Sequence, residues 1–324
     1  MADTNELSLP GSVPVSNIVL GTMYFGSRIS QTQSERLLDT FVSMGGNQID
    51  TARCYADWIP GGAGAGEKAI GKWLSGKKRE SVFLGTKGGI KPRGYNATRG
   101  DLSQENLEKD LKASLTALQT DYIDLYWLHR DDLRFSPGEI VERIRQGYIR
   151  YFGVSNWTAK RIMEANEYAA SHGLSGAAAS QIQYGLGICT PSDWGDSTIV
   201  CMDNSEYMAY EKLQIPVYGY SAQAEGYFPL YIRGGSGALG SDTRKKYDTP
   251  VNRIRADRLK QLMKKKQYSL SWIMAEYVLR SSFPAMFIMG GSNESRMKEI
   301  MGQYNCGKKQ LTDEEWEIIL KTTP

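Results

Sequence analysis

VFLGTK at residues 82–87, SQENLEKDLKASLTAL at residues 103–118 and IDLYWLH at residues 123–129 follow one another along the chain. The first and third are short apolar runs of strand length. The second is amphipathic: Leu107, Leu111, Leu115 and Leu118 recur every three or four residues along one helical face. Ser103 stands at the N-cap position of that helix. The stretch therefore reads as strand, helix, strand.

The same alternation extends outward in both directions. Upstream, Ile18 to Thr22 and Asn47 to Thr51 are strand candidates, with helical patterns at Gln31 to Met44 and Glu67 to Leu74. Downstream, Ile149 to Ser155, Ala178 to Tyr184, Pro216 to Ser221 and Ala285 to Gly290 complete a set of eight strands. Thr158 to Ala170, Glu206 to Leu213 and Ser269 to Leu279 supply further helices. Near-continuous apolar strands separated by helices indicate a parallel sheet covered on its outer face, and eight of them can close. The expected fold class is α/β: a single (β/α)8 TIM barrel over residues 1–324, with long loops on its catalytic face. An open doubly wound sheet would want a glycine-rich turn after its first strand, which Leu20-Gly21-Thr22-Met23 does not supply. The longest irregular stretch runs from Ala222 to about Asp248 and contains Gly226, Gly234, Gly235, Gly237 and Gly240. It follows the seventh strand, so it is expected on the catalytic face, as a functional loop or a surface excursion.

Composition is ordinary for a globular chain, with 41% hydrophobic and 23% charged residues in 324. A net charge of +3 is too mild to imply a nucleic-acid or membrane partner. Met1 to Pro10 has neither a basic nor an apolar leader region, and no apolar run has spanning length. The four cysteines, Cys54, Cys189, Cys201 and Cys306, are scattered, and only two histidines occur. This pattern suits a reduced cytoplasmic protein better than a disulfide framework or a metal centre.

Barrel enzymes carry their chemistry at the C-terminal ends of the strands. Strand two ends in Asp50-Thr51-Ala52 with Tyr55 just beyond, strand three in Lys87 and strand four in His129. Taken singly, these are ordinary capping, surface and structural residues. At successive strand ends they can meet in one mouth. A tyrosine hydroxyl titrates near 10 and needs help to act as a general acid at neutral pH. An ammonium favours the phenolate left after proton donation, and a carboxylate keeps the ammonium charged. A histidine can hydrogen-bond the substrate oxygen.

With these residues in place, the chain resembles the aldo-keto reductase family from about Ile18 to Arg296. The matching stretches are Gly21-Thr22, Ile49-Asp50-Thr51-Ala52 with Tyr55, Gly66-Glu67 through Ile70-Gly71, and Thr86-Lys87. They continue with Asp121 through His129 and Gly153-Val154-Ser155-Asn156. The resemblance implies a small-molecule carbonyl substrate, with Tyr55 as proton donor, Asp50 and Lys87 tuning it and His129 orienting the carbonyl. It implies that Ser155, Asn156 and Gln181 hydrogen-bond the nicotinamide carboxamide, that Tyr220 stacks on the ring, and that Ser221 and the loop after it approach the pyrophosphate. Ser292, Arg296 and Glu299 follow the last strand, where Arg296 would meet the 2′-phosphate of NADP and Glu299 the adenine. Gly290 and Ile300 depart from the lysine and asparagine that many members carry there. NADP(H) is the expected cofactor, and NAD(H) stays open.

Two short matches fail on context. Gly66 to Lys72 fits the start of a phosphate-binding loop, but Trp73 stands where Ser or Thr is required. His129-Arg130-Asp131 lacks the asparagine and the DFG triplet of a kinase catalytic loop. The Lys264 to Lys266 run reads as a solvated helix face.

The pocket wall is expected from Tyr24, Trp58, Tyr95, Trp194, Tyr227 and Phe228, with Arg130, Asp131 and Asp132 equally able to hydrogen-bond a polyhydroxylated substrate or to serve as surface and salt-bridge residues. Sugar-type carbonyls and simple aldehydes or ketones both stay open, and so does the oligomeric state. Two other functions compete: a cofactor-holding regulatory barrel with little turnover, and a barrel enzyme using Lys87 as a Schiff-base nucleophile.

Overall fold

Each β-strand lies parallel to the next, and the last returns to pair with the first. The strands are β1 (Ile18–Gly21), β2 (Gln48–Asp50), β3 (Phe83–Gly88), β4 (Ile123–Leu128), β5 (Ile149–Ser155), β6 (Ser180–Gln183), β7 (Val217–Tyr220) and β8 (Ala285–Gly290). The closing pair is in register as Ile18 to Phe287 and Gly21 to Gly290. The structure is a computed structural model that describes residues 14–90, 99–144, 147–264, 268–307 and 309–321.

The helices are α1 (Gln31–Ser43), α2 (Ala65–Leu74), α3 (Gln104–Leu118), α4 (Pro137–Arg143), α5 (Ala159–Ser171), α6 (Pro191–Trp194) and α7 (Asn204–Leu213). After β7 come α8 (Tyr227–Gly234), α9 (Ser241–Tyr247), α10 (Pro250–Met263) and α11 (Leu270–Leu279), and after β8 come α12 (Glu294–Cys306) and α13 (Asp313–Leu320). Their starts are set by local chemistry. Ser30, Ser136, Thr190 and Thr312 each form a capping box, and the Thr158 and Ser269 hydroxyls accept from the first turns of α5 and α11. Ser103 sits at the N-cap of α3 as expected, but its side chain makes no capping hydrogen bond.

Alternation along the strands produces two concentric cores. Val19, Phe83, Leu125, Trp127, Ala179, Tyr218, Met286 and Ile288 pack inside the barrel. Their neighbours Ile18, Leu20, Leu84, Tyr126, Leu128, Phe287 and Met289 face the helices. Because both faces are buried, most strands read as apolar runs rather than alternating ones, while β2 and β6 bury polar side chains. Trp127 is the largest inward side chain and meets Tyr218 edge-on at 5.0 Å. The strands on either side of it carry glycines facing the indole. A Cβ on Gly153 would stand 2.5 Å from the Trp127 ring, and one on Gly85 would stand 3.1 Å from its Nε1.

All eight expected strands are present. The stretch from Ala222 to Asp248 is not irregular, which corrects the sequence reading. It folds into α8 and α9 with two 3-10 turns, and Tyr227, Phe228 and Tyr247 are fully buried. Tyr227 and Phe228 are therefore core residues and not pocket wall. The glycines that suggested a loop are turn devices: Gly226 takes φ of 82° just before α8, and Gly235 takes φ of 61° just after it. Two helices of eight and seven residues are too short for an apolar period to show between them. Among the described residues no helix is long and apolar enough to cross a membrane.

Candidate active site

The site lies at the C-terminal ends of β2, β3 and β4. Ile49 and Leu84 face outward into the helix layer, so the side chains of Asp50 and Lys87 fall on the inward parity of their strands. Both are almost wholly buried, at 4% and 1% exposure. The Lys87 ammonium donates to Asp50 Oδ2 at 2.5 Å, to the Thr51 carbonyl at 2.8 Å and to the Tyr55 hydroxyl at 3.2 Å. Three protons thus meet three acceptors, as a buried cation requires. The backbone N–H of Arg53 in turn donates to the Lys87 carbonyl at 2.9 Å, so residues 51–53 hold Lys87 at both ends. A turn closed by Tyr55 N–H on the Ala52 carbonyl brings the phenol over the ammonium, whose nitrogen is 5.0 Å from the ring centre.

The electrostatics follow from this packing. Burial alone would push Lys87 down, but the adjacent Asp50 carboxylate and Tyr55 hydroxyl together outweigh it and hold the ammonium above its ordinary range. Burial raises Tyr55, the Lys87 charge offsets only part of that, and Asp50 adds to the rise. Tyr55 is therefore a protonated phenol at neutral pH, accepting from Lys87 while its own O–H remains a donor. His129 joins from the end of β4, anchored by its backbone N–H on the Gly88 carbonyl at 2.9 Å. Its ring meets Tyr55 edge-on at 6.4 Å. Cys54 Sγ lies 3.6 Å from His129 Nδ1, a neighbour that the sequence reading did not single out.

Around this group the expected cofactor residues gather in part. Gln181 on β6 donates from Nε2 to Asp50 Oδ1 at 3.1 Å. Asn156, in a left-handed backbone with φ of 59°, donates to the Ser155 hydroxyl and accepts from Tyr220 Oη at 2.8 Å and from the Val200 N–H at 3.1 Å. The Ser155 hydroxyl keeps its own proton to donate. Ser221 also takes a left-handed backbone, with φ of 49°, turning the chain away from β7. Thr22 binds the Asp50 carbonyl through both its hydroxyl and its N–H, and Gly21 is confined by β8, since a Cβ there would stand 2.9 Å from Ile288.

Ser292, Arg296 and Glu299 are exposed at the start of α12, whose N-cap Asn293 accepts from the Arg296 N–H at 2.9 Å. Nearby, the side-chain amide nitrogen of Gln223 is buried with no protein partner, and its oxygen lies 3.9 Å from where a Cβ on Gly290 would stand. A helix N-terminus with an exposed arginine, beside a small residue and an unsatisfied amide donor, fits a phosphate-bearing dinucleotide. Gln223 had no signal in the sequence, because only the approach of the β7 and β8 loops makes it relevant.

Of the expected pocket residues, Tyr24, Trp58, Arg130 and Trp194 are half-buried, while Tyr95 lies outside the described residues. Trp194 meets Tyr220 edge-on at 6.2 Å. Arg130 faces Asp196 at 3.6 Å. Asp131 and Asp132 are engaged by Arg161 and Arg134, each at 2.6 Å, so the structure gives both a role in ion pairs.

An eight-stranded parallel barrel with a buried Asp–Lys pair under a strand-end tyrosine and histidine defines a barrel oxidoreductase class. The chain belongs to the aldo/keto reductase family, whose model matches residues 17–322. It is 28% identical over 310 residues to norsolorinic acid reductase of Aspergillus flavus, covering 90% of this chain and 74% of that one. It is 33% identical over 186 residues to norsolorinic acid reductase B of Aspergillus parasiticus, where the match spans 52% of this chain and 47% of that protein's length. Among solved structures, a thermostable aldo-keto reductase, Tm1743, superimposes with a TM-score of 0.68 over 95% of this chain and 96% of that one. At 21% identity that likeness speaks for the fold.

Proposed function

We propose that this protein reduces an aldehyde or ketone to an alcohol at the mouth formed by Tyr55, Lys87, Asp50 and His129, using NADPH. The observation that carries the reading is the Lys87 ammonium held between Asp50 Oδ2 at 2.5 Å and the Tyr55 hydroxyl at 3.2 Å. A dihydronicotinamide held there would supply hydride for the carbonyl carbon. Tyr55 gives its phenolic proton to the carbonyl oxygen, and Lys87 stabilises the phenolate that forms. Asp50 keeps Lys87 charged at that moment. His129 hydrogen-bonds the same oxygen and aligns it. Ser155, Asn156 and Gln181 would hold its carboxamide, Tyr220 would support the ring, and Ser221 with Gln223 would meet the pyrophosphate.

The exposed Arg296 in the first turn of α12 supports a preference for NADP(H), with a guanidinium matched to the 2′-phosphate. The half-buried aromatics Tyr24, Trp58 and Trp194 would line the substrate side. Since Asp131 and Asp132 are occupied by arginines, a carbonyl on an aromatic or apolar body is favoured over a sugar. The relatives named for norsolorinic acid support that direction.

The test is a titration of the purified protein with NADPH and then NADH, followed by tryptophan quenching, and then turnover with a panel of aldehydes and ketones. Tighter NADPH binding, lost in Arg296→Ala, together with consumption of NADPH by a carbonyl is the expected result. Binding without turnover on any carbonyl would point to a regulatory barrel instead.

A further inference from the structure

Cys189 and Cys201 were scattered cysteines in the sequence, but their sulfurs lie 4.0 Å apart. Both side chains are buried, at 4% and 7% exposure. Cys201 is anchored on the barrel, bridging Gln183 at the end of β6, where the Met202 N–H donates to the Gln183 carbonyl at 2.8 Å. Cys189 lies on the loop leaving β6, outside regular structure. Between them the chain carries α6, with Trp194, and Asp196, the partner of Arg130. The Trp194 indole N–H donates to Cys189 Sγ at 3.0 Å, its ring lies under the Lys246 ammonium at 4.0 Å, and its edge meets Tyr220. One sulfur atom thus links the cysteine pair to the aromatic wall of the site.

We propose that Cys189 and Cys201 are a reversible redox site, oxidised by a hydroperoxide to a disulfide that pins the loop after β6 and moves Trp194 against Tyr220. The two thiols are not equivalent. Hydrogen bonding from Cys201 holds Cys189 below the ordinary thiol range, burial opposes that, and Trp194 reinforces it. The same contact with Cys189 pushes Cys201 up, and burial adds to the rise. Cys189 also alone receives the Trp194 indole N–H, at 3.0 Å, a donor that favours its thiolate, and this geometry makes it the attacking sulfur. Its thiolate attacks a peroxide oxygen, forming an S–O bond as the O–O bond breaks, and the departing oxygen leaves as water or alcohol with the thiol proton. The Cys201 sulfur then attacks the sulfenic sulfur, forming S–S as S–O breaks. The Cys201 proton leaves with the oxygen as water. Two thiols are oxidised and one hydroperoxide is reduced. A disulfide needs a sulfur separation of about 2.05 Å, so the sulfurs must close by about 2 Å. Asn252 holds Ile188 at both backbone groups and Thr190 belongs to the capping box of α6, so the closure comes from rotation of the two cysteine side chains with a local shift of the α6 segment.

The test uses the full-length protein carrying Cys54→Ser and Cys306→Ser, so that only this pair can react. Treatment with a small excess of hydrogen peroxide should lower the intact mass by about 2 Da, with a peptide linking residues 189 and 201, and dithiothreitol should restore it. Cys189→Ser or Cys201→Ser in that background should abolish the mass loss. An unchanged mass, or a gain of oxygen without cross-linking, would overturn the proposal. In the same Cys54→Ser, Cys306→Ser background, oxidation should shift the KM for a carbonyl substrate at least twofold, reversibly, and adding Cys201→Ser should remove the response. A cross-link with an unchanged KM would overturn the coupling through Trp194. This kinetic arm alone rests on the reductase reading; a protein that cross-links but turns over no carbonyl would sink that reading and leave the redox pair standing.

Discussion

The Gln181 side-chain amide donates to Asp50 Oδ1 at 3.1 Å, across 131 residues of chain, while Lys87 takes the other oxygen at 2.5 Å. Both oxygens of a carboxylate with 4% exposure are thereby committed. Gln181 is thus a positioning residue for the acid–base group as well as a neighbour of the proposed cofactor amide. Gln181→Leu removes a hydrogen bond to a charged group, a loss of about 1.5–3 kcal/mol. The expected outcome is a fall in kcat of about tenfold or more by that arithmetic, with a weaker NADPH affinity measured by quenching.

Tyr55→Phe keeps the ring and deletes the proton. A positioned general acid contributes about 10²–10⁴-fold, so carbonyl reduction should fall by that range. NADPH affinity should change by less than about twofold, because no substrate-independent contact to the cofactor is removed. Wild-type rates in this variant would remove Tyr55 from its role.

Lys87→Met leaves Asp50 buried without its cation. Breaking one partner of a buried pair costs about 3–5 kcal/mol, which should appear as a clear drop in the thermal midpoint. Adding Asp50→Asn should recover part of that loss rather than add to it, because the stranded charge is gone. Strict additivity in this cycle would mean that the pair is not coupled.

The protein should lose stability steeply above about pH 10, the ordinary range of a tyrosine hydroxyl. Burial raises Tyr55, Tyr184, Tyr210, Tyr218, Tyr220 and Tyr247 in the folded state. A raised folded value means that the folded state holds its proton longer than the unfolded chain. The stabilisation is full below the unfolded value and disappears as pH rises through the folded one. Lys87, raised by Asp50, acts with the same sign. Thermal midpoints between pH 8 and pH 11 should trace the fall, and Tyr218→Phe should make it shallower.

Gly153→Ala would put a methyl 2.5 Å from the Trp127 ring inside the barrel. Overpacking of this kind costs about 1–3 kcal/mol. The thermal midpoint should drop with the far-ultraviolet spectrum unchanged. Trp127→Leu in the same chain should relieve part of the clash while opening a cavity.

The barrel itself was legible along the chain because most strands are apolar-rich runs covered on both faces, with β2 and β6 the polar exceptions, and a helix follows each of the first seven. Asp50, Tyr55, Lys87 and His129 were legible because such a barrel collects its strand ends at one mouth, so sequence order already predicts proximity. The helices in the stretch after β7 were hidden by their brevity and by glycines serving as turns. The pairing of Gln181 with Asp50, the orphaned amide of Gln223 beside Gly290, and the contact of Cys189 with Cys201 depend on side chains from separate segments meeting. The sequence left Asp131 and Asp132 open between substrate contact and salt bridges, and the positions of Arg161 and Arg134 gave them to ion pairs. Local pattern determines which segments are strands and helices and which strand ends carry reactive groups, since those properties depend on residues a few positions apart. Partner choice for each buried polar atom is decided by closure of the barrel, which brings distant segments within hydrogen-bond reach.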